Sequence, residues 1–460
     1  MFYEATRLLQ AGDTLQSAAV YRQCLEIDPT LAEAHANLAY LLEKERRLDE
    51  AESHYKSAIG FEPFQTQILI NYGAMLASQK RFVEAETLYR QALAIDNTSC
   101  SALSNLGVLL ACMRRDGEAE RCYRAAMSID PDHRMAQFNL AYVLLRQGRL
   151  EEGWLRLEAR DWYAPFEKVL NCPRWRGEPL PNKAIVITLD AGHGDMIHFC
   201  RYASLLKQAG AARVSLLCHP GLKRILSSLS GVDEVIAADQ PLSSCDWDYW
   251  VPVLSLPYGF RTTLDSIPAN IPYLAADPER VGYWASQIAA TACNMNVGLV
   301  WKGNPRFEND AERSLPSLSL LAPLWEVPGI RFFSLQKGAG EDEIGRHAAN
   351  LPLVPLGHLV EDFSDTAAIV MNLDLIITVD TAVAHLAGAL GKACWVLLPH
   401  YKTDWRWFEH RTDSPWYPKV MRLFRQGVAG DWASTIESVK TALQITARGL
   451  HDQDAAACGG

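Results

Sequence analysis

The sequence contains no run of about 18 consecutive apolar residues, the length a membrane-spanning helix needs. Its most apolar region, residues 369–399, is interrupted by Asp374, Asp380, His385 and Lys392. Basic residues are in the minority: 44 Lys and Arg stand against 54 Asp and Glu, a formal charge of −10. A chain of that balance has no cationic field to hold a nucleic-acid backbone, which argues against DNA or RNA as a partner. The eleven cysteines, scattered from Cys24 to Cys458, include no C-x-x-C pair. Neither a zinc frame nor a disulfide scaffold is therefore expected, and reduced thiols fit an intracellular protein. The opening MFYEATRLLQ places no basic stretch ahead of an apolar block, so the expected compartment is the cytoplasm. A composition that is 49% hydrophobic and 21% charged excludes a fibrous or wholly disordered chain. At roughly 150 residues per domain, the length implies two or three packed units.

Self-comparison of the N-terminal third gives a period of 34 residues: Asn37, Asn71, Asn105 and Asn139 recur in step, as do Tyr21, Tyr55, Tyr89 and Tyr123. Small residues keep the same spacing at Ala39, Gly73, Gly107 and Ala141, and again at Ala51, Ala85, Ala119 and Gly153. Pro29, Pro63 and Pro131 close repeats, with Asn97 standing in for one proline. Paired helices need small residues where their backbones approach and a helix stop between pairs, so residues 1–160 are expected to form a helical solenoid. The pattern resembles the tetratricopeptide repeat. Such an array offers a long groove for a partner. Each asparagine falls on the first helix of its pair, where its amide can both donate and accept, as the backbone of an extended peptide requires. The alternative is that these amides bond between neighbouring helices. The tyrosines read as packing.

Beyond Arg160 the pattern changes. Pro173, Pro179 and Pro181 mark a linker, 161–182, after which short apolar runs alternate with helical stretches. Strands are expected at 183–189, 213–218, 234–237, 297–301, 331–335, 375–379 and 394–398, and helices at 198–210 and 283–293 among others. That alternation builds parallel sheets flanked by helices. The expected fold is thus α + α/β, with two Rossmann-like domains, 183–282 and 283–448, whose strand ends face a cleft, and a disordered tail at 449–460.

Three segments carry candidate chemistry. After the first strand, Asp190-Ala191-Gly192-His193-Gly194-Asp195 joins two glycines, which let backbone approach a ligand, to an aspartate at a helix start. Asp195 is either a functional carboxylate at the cleft or a helix cap. The third glycine of a dinucleotide fingerprint would fall at Ile197, against a nicotinamide cofactor. After the strand at 297–301, Lys302-Gly303-Asn304 and the loop to Arg313-Ser314 offer an ammonium, a guanidinium, a hydroxyl and glycine backbone, the groups that bind phosphate oxygens. The most specific segment is 376–391, where an apolar strand runs into Asp380-Thr381-Ala382 and a helix of small residues. Free amides in that first turn would seat an anion, and His385 lies one helical turn from Thr381. Asp246 and Asp248 have the spacing of a cation-binding pair but follow a turn, and no metal is expected there. Trp405, Trp407, Trp416 and Tyr417 read as interdomain core in preference to a stacking surface.

The stretch Asp380-Thr-Ala-Val-Ala-His385-Leu-Ala, taken with the Gly-x-Gly-Asp195 turn, is similar to the heptosyltransferase-type (family 9) glycosyltransferases of the two-Rossmann GT-B class. The whole layout resembles bacterial tetratricopeptide-repeat proteins with a C-terminal family 9/41-like GT-B domain, flagellin glycosyltransferases among them. Gly298-Leu-Val-Trp-Lys-Gly-Asn304-Pro, Arg313-Ser, Ser334-Leu-Gln336-Lys-Gly338, Asp404-Trp-Arg-Trp407 and Ser414-Pro-Trp-Tyr-Pro418 carry the likeness. The resemblance implies an inverting, metal-independent hexosyl- or heptosyltransferase-like enzyme that moves a sugar from a nucleotide sugar to a protein acceptor held by the repeats, such as flagellin at Ser or Thr. It implies Asp195 as the base, Arg313 and Asp380-Thr381-Ala382 around the diphosphate, Gln336 near the nucleotide, and His385 assisting at the phosphates. The donor site would then comprise Gly194, Lys302, Asn304, Arg313, Ser314, Gln336, Asp380, Thr381 and Ala382. The acceptor groove would comprise Asn37, Asn71, Asn105 and Asn139, and no cofactor is expected beyond the nucleotide-sugar substrate. The chain departs from the group's Glu-Gln-Gly-Leu-Gly-Asp at 190–195 and has His198 where glutamine is common. Two other readings fit these residues: a non-catalytic scaffold whose second half senses a nucleotide sugar, and a transferase acting on a lipid-linked or surface glycan.

Overall fold

The computed structural model describes residues 1–240, 246–288, 295–347 and 352–458, and the chain divides into two compact units, Met1–Val143 and Leu144–Gly460. In the first unit helices pair along the chain: α1 (Phe2–Gln10) with α2 (Thr14–Ile27), α3 (Ala32–Lys44) with α4 (Leu48–Phe61), α5 (Thr66–Ser78) with α6 (Phe82–Ile95), and α7 (Cys100–Cys112) with α8 (Asp116–Ile129). The 34-residue period records the contact between partners. A Cβ on Gly73 would sit 2.7 Å from Tyr89 Cε1, and one on Gly107 2.5 Å from Tyr123 Cε1, so each ring fills the space a side chain would take. Tyr21, Tyr55, Tyr89 and Tyr123 are buried, in the packing role expected of them. Successive pairs are laced by ions: Arg81 bridges Glu84 (2.6 Å) in its own repeat and Glu52 (2.5 Å) in the one before, and Arg115 does the same with Glu118 (2.7 Å) and Glu86 (2.7 Å).

α9 (Arg134–Arg146) and α10 (Leu150–Leu157) follow; the repeat spacing runs on through Gly153, while by packing the chain from Leu144 onward, α10 included, groups with the second unit. The physical reason is Trp154. This residue of α10 is 1% exposed, donates from Nε1 to Thr262 O (2.9 Å), and meets Phe199, Trp405 and Trp416 edge-on at 6.4, 5.3 and 6.3 Å. A buried indole of that size ties α10 to the second unit.

The second unit contains two all-parallel sheets. β1 (Ala184–Thr188), β2 (Arg213–Cys218), β3 (Glu234–Ala237) and β4 (Tyr249–Pro252) lie in the order β3-β2-β1-β4. β5 (Met295–Val300), β6 (Ile330–Ser334), β7 (Leu353–Pro355), β8 (Leu375–Val379), β9 (Cys394–Leu398) and β10 (Met421–Arg425) lie in the order β10-β9-β8-β5-β6-β7. Every residue of β8 and β9 is buried, the two-sided burial that writes a parallel strand as an unbroken apolar run. All seven expected strands are present; β4, β7 and β10 are additions. The helix expected at 198–210 starts earlier, as His193–Phe199, and resumes at Ala203–Gln208. The helix expected at 283–293 is Pro278–Ile288; residues 289–293 lie outside the described residues. The last helix, Trp432–Cys458, continues through most of the expected disordered tail, where alanines 455–457 favour helix. Both sheets reverse strand order beside their first strand, between β1 and β4 and between β5 and β8. Open parallel sheets bind ligands outside the carboxyl ends of strands at such points.

Candidate functional site

At the reversal in the second sheet, β8 ends and the chain passes through Asp380 and Thr381 into the helix Ala382–Ala389. Thr381 is extended (φ −140°, ψ 170°), and its hydroxyl meets Thr378 Oγ1 at 2.9 Å and does not cap the helix. The amides of Thr381, Ala382 and Val383 consequently have no protein acceptor among the described residues, and the positive end of the helix dipole is uncovered. Burial raises the Asp380 carboxyl to about 6, and Asp404 pushes in the same direction; Arg313, Trp407 and Arg406 oppose the shift. Arg313 thus lies within electrostatic reach of Asp380. Its Nε donates to Asp310 Oδ1 (3.0 Å) and its guanidinium lies 4.4 Å from the centre of the Phe307 ring.

The other expected donor groups are less free. The Lys302 ammonium pairs with Glu343. Asn304 is exposed and its Oδ1 accepts from Arg306 N (3.0 Å), closing a local turn, while Ser314 Oγ accepts from Gly303 N (2.8 Å). Gln336 is 2% exposed; its Oε1 accepts from Trp301 N and Lys302 N, both at 3.0 Å, and its Nε2 donates to Lys302 O (3.1 Å) and Ala339 O (2.7 Å). An amide has two donor hydrogens and two acceptor lone pairs, and here all four are used on backbone. Gln336 thus joins the loops after β5 and β6, with no hydrogen-bonding capacity left for a nucleotide.

From the first sheet, the turn after β1 leads into the helix His193–Phe199, whose start lies against the start of Ala382–Ala389. A Cβ on Gly194 would sit 3.0 Å from His385 Cδ2 and 3.5 Å from Ala382 Cα. A side chain there would push on the His385 ring and shift it by a few tenths of an ångström. Asp195 takes the helix-cap role: Oδ2 accepts from Gly192 N (2.8 Å), while Oδ1 pairs with Arg406 Nη2 from the lobe of the second sheet. Asp190, by contrast, is buried and paired with Arg160 Nη2 (2.7 Å), and burial raises its carboxyl.

His385 is 5% exposed. Its Nδ1 lies 3.0 Å from Tyr417 Oη and 3.2 Å from His198 Nδ1, and its ring stacks on Trp407 at 5.2 Å. Burial holds both histidines well below the ordinary imidazole value, followed by repulsion from nearby arginines. Near neutral pH His385 therefore brings no positive charge to the crevice. Trp405, Trp407, Trp416 and Tyr417 are buried core. Asp248 is spent on Lys183 Nζ (2.9 Å) and Ala184 N (2.8 Å) at the sheet edge. In the repeats all four asparagines are half-buried on first helices; Asn37 donates to Tyr21 Oη (3.0 Å) across helices, and Asn71 accepts from Gln67 (2.7 Å). Arg406, paired with Asp195, and Asp404, which acts on Asp380, were quoted from the sequence within the Asp404-Trp-Arg-Trp407 stretch but given no role there.

The N-terminal pattern belongs to a defined class. Tetratricopeptide-repeat models match residues 8–69, 66–95 and 114–164, so this part of the chain is a tetratricopeptide-repeat array. Protein FlbA of Caulobacter vibrioides (strain ATCC 19089 / CIP 103742 / CB 15) is 29% identical over 337 residues, covering 67% of this chain and 55% of FlbA. The chain thus spans about half the length of that curated relative. Among solved structures, MamA is similar at 16% identity, covering 36% of this chain and 97% of its own, with a TM-score of 0.32. PilF of Pseudomonas aeruginosa is similar at 22% identity, covering 45% and 82%, with a TM-score of 0.33. YrrB, described as a TPR protein with an unusual peptide-binding site, is similar at 19% identity, covering 36% and 89%, with a TM-score of 0.30. No described helix is long and apolar enough to cross a membrane.

Proposed function

We propose that the chain is an inverting, metal-independent glycosyltransferase of the GT-B type, acting in the cytoplasm on a protein acceptor held by the repeats. The observation that carries this reading is the close approach of two helix starts, Gly194 against Ala382, where the amides of Thr381, Ala382 and Val383 have no protein acceptor among the described residues and Asp195 lies on the neighbouring turn. In the reaction, Asp195 accepts the proton of an acceptor hydroxyl whose oxygen forms the new bond to the anomeric carbon. The bond from that carbon to the diphosphate breaks, and its electron pair leaves with the nucleoside diphosphate. The helix amides and Arg313 offset the charge that develops there. The acceptor in this reading is a protein such as flagellin, held along the first helices of the repeats.

The test is incubation of the purified full-length chain with a panel of nucleotide sugars and candidate acceptor proteins, followed by intact-mass measurement. Transfer or donor hydrolysis is expected. Absence of both, together with unchanged glycosylation in cells carrying Asp195→Ala, overturns the proposal. A scaffold reading draws on one observation, that both Asp195 oxygens are engaged; donor binding without turnover, unaffected by Asp195→Asn, would favour it. If deletion of residues 1–150 leaves transfer largely intact, the acceptor is a lipid-linked or surface glycan.

A further inference from the structure

We infer that Arg406 is the positioning residue for Asp195, reaching across from the opposite lobe to fix the carboxylate that takes the acceptor proton. This rests on the transferase reading above. Arg406 sits in the turn Trp405–Trp407 and is 6% exposed. Its backbone N–H donates to Asp404 Oδ1 (2.9 Å), and its Nη1 donates to both Asp404 oxygens (3.0 and 2.9 Å). The guanidinium carbon lies 4.2 Å from the centre of the Trp405 ring and 5.4 Å from that of Phe199. The turn itself is clamped: Arg425 Nη2 donates to Trp407 O (2.5 Å) and Phe408 O (2.6 Å), while Phe408 holds a φ of 52°, a conformation a bulky side chain adopts only when its surroundings impose it.

A guanidinium held this way has little freedom, and it directs Nη2 at Asp195 Oδ1. Gly192 N–H holds the other oxygen. A carboxylate fixed at both oxygens cannot turn about its terminal torsion, so its remaining lone pairs keep one direction. Orientation of a reacting group to within an ångström is worth about 100-fold in rate. Because Asp195 belongs to the lobe of β1 and Arg406 to the lobe of β8–β10, the base is oriented only when the lobes stand as they do here.

The experiment measures kcat and KM for donor and acceptor in full-length wild type, Arg406→Gln and Arg406→Lys, with thermal midpoints alongside. Arg406→Gln is expected to lower kcat about 100-fold with donor KM within about threefold. Arg406→Lys, which keeps the charge without the planar fork, should recover about tenfold of the loss, and added methylguanidinium should partly rescue Arg406→Gln. An Arg406→Gln enzyme within threefold of wild-type kcat overturns the inference. So does a fall in kcat that tracks lost folded protein and responds to neither Lys nor methylguanidinium, which marks a plain interlobe strut. A wild type inactive with every donor sinks the transferase reading and this inference together; an active wild type with an indifferent Arg406 sinks the inference alone.

Discussion

Removing the Trp154 side chain tests where the repeat array ends as a folding unit. The indole is 1% exposed, packs edge-on against Phe199, Trp405 and Trp416, and donates to Thr262 O at 2.9 Å. Truncating a buried aromatic of that size to alanine costs about 3–5 kcal/mol, the transfer term plus the cavity left behind. Trp154→Phe keeps most of the ring but loses the indole donor, leaving a buried carbonyl unpaired, and should cost about 1–2 kcal/mol. For a unit of this size each kcal/mol moves the midpoint by roughly 2 °C, so shifts of about 6–10 °C and about 2–4 °C are expected. The assay is clean because all 13 tryptophans fall at or after Trp154, in the second unit, and none in the first. Tryptophan fluorescence therefore follows the second unit, while far-ultraviolet circular dichroism follows both. If Trp154→Ala leaves the fluorescence midpoint within about 1 °C of wild type, α10 is not part of the second unit's core and the boundary at Val143 is wrong.

Gln336→Leu strands Trp301 N, Lys302 N, Lys302 O and Ala339 O, and should cost about 3 kcal/mol or more by denaturant titration; a loss under about 1 kcal/mol would return Gln336 to the list of ligand groups. Gly107→Val places carbon where Tyr123 lies and should destabilise the first unit by about 1–3 kcal/mol, visible in circular dichroism and silent in tryptophan fluorescence. With Asp380 raised to about 6 in the fold against 3.8 when unperturbed, the folded state holds a proton the unfolded state has released across that window, so this group makes stability fall as pH rises from about 4 to 6. Relative to wild type, Asp380→Asn should flatten thermal midpoints over that range; parallel profiles would refute the shift.

The repeats and the strands of the second unit were legible for the same reason: one environment repeated along the chain leaves a period. Tyrosine over glycine every 34 residues and five buried residues in a row at β8 are both direct records of packing. β4 and β7 escaped notice because they are four and three residues long and each ends in proline, and β10 because Arg422 and Arg425 break its apolar run. Within the site, the sequence marked the turns after β1, β5 and β8 but not their chemistry. Gln336 reads as a ligand group until the strand-end backbone it satisfies is visible. Arg406 reads as one arginine among tryptophans, because its partner lies 211 positions away on another lobe.

The charges around the crevice decide what the backbone has to do there. Asp195, Asp380 and Asp404 stand against Arg313 and Arg406, Arg406 is already matched by two of those carboxylates, and Lys302 is matched by Glu343. Near neutral pH, side chains alone therefore offer a diphosphate no net attraction. His385, held neutral by burial, does not change the balance. In the proposed reaction the departing charge must then fall chiefly on groups that carry no formal charge, the amides at the start of Ala382–Ala389. This accounts for two features with little other purpose. Thr381 keeps its hydroxyl on Thr378 and leaves the helix start uncapped, and Gly194 lacks the side chain that would cover it. An anion seat built this way depends on backbone geometry more than on residue identity, so tallies of basic side chains pass over it while the strand–Asp-Thr–helix turn marks it.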